Sequence, residues 1–146
     1  MDTARKSMLG KLAGLFLAAS LTAVSALSAA GQQLPEELEI WFEALRSADH
    51  EVFDQLLSED ATVDVRDLGI VQDREEFLES LDIWEDIASS TQIETKLVSS
   101  GDGKSVVSVC YRFAENDQLN RETFTVTDLL ITSVVQEKIA DDCSAF

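Results

Sequence analysis

The chain has 146 residues, of which 28 are acidic and 11 basic, for a net charge of −17. A field of that sign repels phosphate backbones and anionic lipid headgroups, which excludes nucleic-acid binding. One histidine and two cysteines exclude polyhistidine sites and a Cys/His zinc cluster, while a hydrophobic fraction of 45% supplies the core of a single domain.

Residues 1–30 differ in kind from the rest. Arg5, Lys6 and Lys11 precede an uncharged apolar run from Leu12 to Leu27, which ends in the small residues Ser28, Ala29, Ala30 and Gly31. The run is about 16 residues long, short of the roughly 20 that span a bilayer, and its small-residue exit suits a signal peptidase. Residues 1–30 therefore read as a signal peptide cleaved near Ala30, with an uncleaved anchor as the alternative, and residues 31–146 as one exported domain, periplasmic or secreted. Removing Arg5, Lys6, Lys11 and Asp2 leaves the remainder more acidic still, so a crosslink would help offset self-repulsion. Cys110 and Cys143 are the candidates. Closing that loop would contribute about 3 to 4 kcal/mol in the chain-entropy picture, and the alternative is two buried thiols.

Pro35 stands where a first helical residue should, followed by Glu36 and Glu37. Leu38, Trp41, Phe42, Leu45 and Ala48 then trace one helical stripe to about Ser47. Asp49 is the expected N-cap of a second helix carrying Val52, Phe53, Leu56 and Leu57, which Ser58 to Asp60 ends. Thr62 to Asp67 alternates as a half-buried strand, with Val63, Val65 and Asp67 on one face. After Gly69 and a short Ile70–Val71 pair, Asp73 and Glu76 stand at capping-box spacing and open a third helix, with Phe77, Leu78, Leu81, Trp84 and Ala88 inward. From Thr91 the period drops to two. Strands are expected over Ile93–Ser99, Ser105–Ala114, Arg121–Thr132 and Val134–Cys143, with turns at Gly101–Gly103 and Asn116–Asp117. This order describes an α+β domain, a curved antiparallel sheet with three N-terminal helices packed on one face.

The segment Leu56, Leu57, Ser58, Glu59, Asp60, Ala61, Thr62, Val63 resembles the helix-to-strand junction of the nuclear transport factor 2-like superfamily, including its SnoaL-like branch. The Asp73 to Leu81 helix start and the strand ending near Lys138 and Ile139 are similar too. These are packing and turn signals, and no catalytic signature is among them. The resemblance implies a cone-shaped α+β barrel over residues 31–146, whose wide end opens into an apolar pocket. It also raises the ketosteroid isomerase site, a base with an oxyanion-binding tyrosine and a protonated carboxyl. An ungapped match through Ala61 and Thr62 puts Trp41 where that tyrosine would stand and Val65 where the base would stand. The third group falls on Asp128 after one inserted residue.

Asp128 is accordingly the leading candidate acid, expected among Phe124, Val126 and Leu130 on an inward face where desolvation would raise its pKa. The competing role is a polar pair with Trp41 or Tyr111. Asp67, at the expected pocket mouth, is the candidate displaced base, or else a solvated strand-end carboxylate. Trp41, Val65, Tyr111, Phe113, Phe124 and Val126 are the candidate ligand-lining residues, with ordinary core packing as the alternative for the aromatics. His50, in the first turn of a helix, reads as exposed, and Glu75, Glu79, Asp82 and Asp86 as a solvated helix face that cannot wrap a cation. No metal or cofactor is expected. Three functions follow: binding of a small hydrophobic or amphipathic molecule; an isomerase, dehydratase or hydrolase using Asp128; or a homodimeric interaction protein with Val106, Ser108 and Arg112 at the contact.

Overall fold

The computed structural model describes residues 32–146; the expected signal peptide and its cleavage site lie outside them. The helices are α1 (Glu36–Ser47), α2 (His50–Leu56) and α3 (Arg74–Ala88), and the strands are β1 (Leu57–Val65), β2 (Ile70–Asp73), β3 (Gln92–Gly101), β4 (Lys104–Arg112), β5 (Asp117–Thr127) and β6 (Leu130–Ala140). They build one six-stranded sheet in the order β2-β1-β6-β5-β4-β3. Neighbours run antiparallel except β1 and β6, which pair in parallel, so the sheet is mixed.

Local chemistry places the helices. Acidic side chains Glu36, Glu37 and Glu39 occupy the first turn of α1, where the helix dipole favours them. The helix stops at Ala48, which takes a left-handed φ of 51°. Asp49 then caps α2, its side chain accepting the Val52 amide at 3.1 Å. Asp73 and Glu76 close the expected capping box at the start of α3, each side chain bonded to the other's backbone amide.

The inner faces of helices and sheet meet at Trp41, which is fully buried. It packs edge-on to Phe53 and Phe124, with ring centroids 4.8 and 5.5 Å away, and stacks on Phe77 at 5.3 Å. On the outer face, Cys110 of β4 is disulfide-bonded to Cys143 across a Cα–Cα distance of 5.8 Å. Leu119, Ala140 and Phe146 pack around that bridge, so the C-terminal tail is tied down over the end of β4 and β5. Within the described residues no helix is long and apolar enough to cross a membrane.

Of the strand boundaries that differ from expectation, two reshape the sheet. β1 begins at Leu57, because Leu57 already pairs with Ile131, and an irregularity between Leu57 and Thr62 absorbs the polar Ser58–Asp60 stretch that reads as a helix stop. The expected single strand Arg121–Thr132 is two strands. Thr127 pairs with Leu130, leaving Asp128 and Leu129 as a two-residue turn with φ of 51° and 66°. A turn with both central residues at positive φ usually carries Asn-Gly or Asp-Gly. Asp-Leu carries no such signal, so the alternation runs unbroken through it.

Candidate functional site

A cavity of about 320 Å³ lies between α3 and the inner face of the sheet. Its walls are apolar: Val63 and Val65 of β1, Phe77, Leu81 and Trp84 of α3, and Tyr111 and Phe113 at the end of β4. Ile83, 76% exposed, and Ile87 form an apolar rim. Trp84 is held in place by its indole N–H, which donates to the Leu45 carbonyl at 2.6 Å.

The floor is polar, and the period-two geometry of β5 builds it. Gln118, Asn120 and Glu122 stand at alternate positions with Phe124, so all four point inward. Gln118 and Asn120 line the cavity, as does Gln136 of β6, which pairs directly with Glu122. Glu122 itself is 0% exposed, beneath that floor. Tyr111 Oη donates to Glu122 Oε1 at 2.7 Å, and Gln118 Nε2 donates to Asn120 Oδ1 at 2.7 Å. Glu122 Oε2 has no hydrogen-bond partner meeting the same distance and angle criteria among the described residues.

Burial dominates the electrostatics of the pair. Loss of water pushes the Glu122 carboxyl from 4.5 up to about 7, against the opposing pull of the Tyr111 hydrogen bond and of the neighbouring Asn120 and Gln136 side chains. The Tyr111 phenol is pushed well above its ordinary value, first by burial and then by the neighbouring Glu122 charge. A carboxyl poised near neutrality under an apolar cavity can take up or release a proton at physiological pH. Among the described residues no group of three or more His, Cys, Asp or Glu side chains converges to hold a metal ion.

Of the residues proposed from sequence, Val65, Tyr111 and Phe113 line this cavity. Trp41 and Phe124 are fully buried core residues beneath it. Val126 packs against the core and lines a different cavity, of about 470 Å³ at the β3–β4 and β5–β6 turns, which it shares with Asp128. Asp128 is exposed at its turn, which corrects its expected inward placement: the hairpin reverses the chain one residue before the face it was assigned to. Asp67 is likewise exposed, in the turn after β1, because the strand ends at Val65. His50 is exposed, with Nε2 3.3 Å from Asp82 of α3. Glu122 is absent from the sequence-based candidates although it shares its parity with Phe124 and Val126; the alternation alone points to Asp128 as the carboxylate of that apolar face.

No family model matches the chain, and no curated protein does. Solved structures do. A candidate ketosteroid isomerase from Kribbella flavida shares 19% identity at a TM-score of 0.60, covering 71% of this chain and 76% of that one. A candidate polyketide cyclase from Sinorhizobium meliloti shares 21% at 0.60, covering 71% and 95%. IdmH, a candidate polyketide cyclase from Streptomyces antibioticus, shares 15% at 0.59, covering 70% and 88%. Such identities speak to fold, and with the helix order, sheet order and cavity above they assign it: the chain has the nuclear transport factor 2-like, ketosteroid isomerase-like cone fold.

Proposed function

We propose that the protein is an exported single-domain module that binds a small amphipathic molecule in the cone cavity. The observation that carries this is the division of the cavity into apolar walls and one polar floor converging on Glu122. Its volume falls at the small end of ligand pockets, which run from roughly 300 to 1,000 Å³. Export is supported by the signal-like residues 1–30 and by a disulfide suited to an oxidising compartment. Native mass spectrometry of protein recovered from the exported fraction tests it. The expected species begins near Gly31, carries the disulfide and retains a small molecule. Absence of the protein from that fraction overturns export, a full-length mass there replaces cleavage near Ala30 with the uncleaved anchor, and an empty protein that also fails to take up the uncharged apolar dye Nile red overturns binding.

A second function has its own support. The Glu122 carboxyl, near 7 and bonded to Tyr111, is equipped for proton transfer in an isomerase, dehydratase or hydrolase. Similar folds named for ketosteroid isomerase and polyketide cyclase support the same reaction class. Glu122 takes the place there that the sequence assigned to Asp128 and Asp67. If turnover of an identified substrate survives Glu122→Gln unchanged, catalysis through this group is lost. A homodimer through the outer sheet face, with Val106 and Ser108 at the contact, is tested by sedimentation. Arg112 is less free to join it, since its guanidinium already pairs with Glu94 and Asp117.

A further inference from the structure

We propose that the polar group this cavity recognises is a protonated alkylamine, an inference that rests on the cavity being a ligand site. The hydrogen-bond direction of the floor is the first reason. Gln118 Nε2 donates to Asn120 Oδ1 and Tyr111 Oη donates to Glu122 Oε1, while the buried Glu122 Oε2 has no partner among the described residues. The floor thus spends the Gln118 N–H and the Tyr111 O–H inward and leaves acceptor oxygens over. The side-chain oxygens of Gln118 and Gln136 accept nothing from the described residues, and both residues face the cavity. A ligand carbonyl or carboxylate would bring more acceptors to them, whereas an ammonium N–H supplies what they lack.

The walls are the second reason. Trp84 stands at 87° to Tyr111 and 84° to Phe113, with centroids 6.3 and 6.4 Å away, while Tyr111 and Phe113 lie parallel within 8°. The three rings make a right-angled aromatic corner beside the polar floor, and ring faces attract alkylated cations at about 6 Å. Charge is the third. No lysine or arginine lines the cavity, a carboxyl is buried beneath it, and the chain carries −17 overall. An anion would find no counter-charge, and a cation would be drawn in.

The test compares two ligands of one shape. Para-(dimethylaminomethyl)phenol is a cation at neutral pH, and para-isobutylphenol is its uncharged carbon isostere. Calorimetry gives the affinities, and the Trp84 indole N–H resonance reports occupancy of the aromatic corner. The cation is expected to bind about tenfold more tightly, the scale of a desolvated cation–π contact with a carboxyl behind it. Glu122→Gln is expected to erase that preference, the two compounds then binding within about twofold of each other. Phe113→Leu, outside the carboxyl network, is expected to reduce the preference severalfold, and decides the question if Glu122→Gln fails to fold. Equal or tighter binding of para-isobutylphenol overturns the ammonium and leaves the cavity as a ligand site. Binding of neither compound also overturns it, and whether the cavity itself then stands is read separately from Nile red uptake.

Discussion

Tyr111 and Glu122, on the adjacent strands β4 and β5, meet at 2.7 Å beneath the cavity floor. Neither is exposed beyond 5%, so the phenol and carboxyl answer to each other and to the amides beside them. Such a carboxyl is costly to bury in its charged form.

The first consequence is a pH dependence of stability. The folded-state pKa of Glu122, about 7, lies above its unfolded value, so the folded chain holds this proton more tightly. The associated stability is fully present below about pH 4.5 and is lost as pH rises through 7. Urea midpoints of wild type are expected to fall between pH 5 and 8, roughly, and those of Glu122→Gln to fall less. An equal fall in both removes Glu122 as the cause.

Tyr111→Phe removes one of the donors that restrain the carboxyl. The Glu122 titration, followed by carbon NMR of its side chain, is expected to move higher, and the fold to lose about 1 to 3 kcal/mol for the bond left unmade. A titration that stays in place would show that Asn120 and Gln136 suffice.

The bridge between Cys110 and Cys143 closes a loop with a sequence separation of 33. Replacing both cysteines with serine is expected to lower stability by about 2 to 4 kcal/mol in urea, mostly by freeing the unfolded chain. The cavity should still form, since the bridge sits on the opposite face of the sheet, and ligand affinity in the double variant checks this.

Gly103 and Gly101 flank the same turn yet should respond differently to alanine. Gly103 has φ of 72°, and an added Cβ would lie 2.8 Å from the Val126 carbonyl oxygen, the bond partner across the turn being the Val126 amide. Gly101 has nothing within 4 Å. Gly103→Ala is expected to cost about 1 to 3 kcal/mol by thermal melting, and Gly101→Ala close to nothing.

Asp128 offers a check on the corrected placement. Its φ of 51° is one glycine adopts freely, so Asp128→Gly should be neutral or slightly stabilising, and Asp128→Asn should leave ligand affinity unchanged. A marked loss of affinity in Asp128→Asn would return this residue to the site.

The helices were readable because their signals are local. Asp49 and the Asp73–Glu76 box cap within four residues, and the stripe from Leu38 to Leu45 repeats on a single helix. Alternation likewise revealed the strands and the inward faces of Val65, Tyr111 and Phe113. What alternation cannot carry is a reversal without glycine or asparagine. At Asp128–Leu129 the period continues through the turn, so Asp128 was assigned to a face it does not reach. The carboxyl that the fold does bury, Glu122, becomes distinctive only when β4 brings Tyr111 and β6 brings Gln136 to its side. Sequence parity states which way a side chain points. Its pKa depends on water excluded and donors supplied by other strands, and those neighbours exist only once the sheet has assembled.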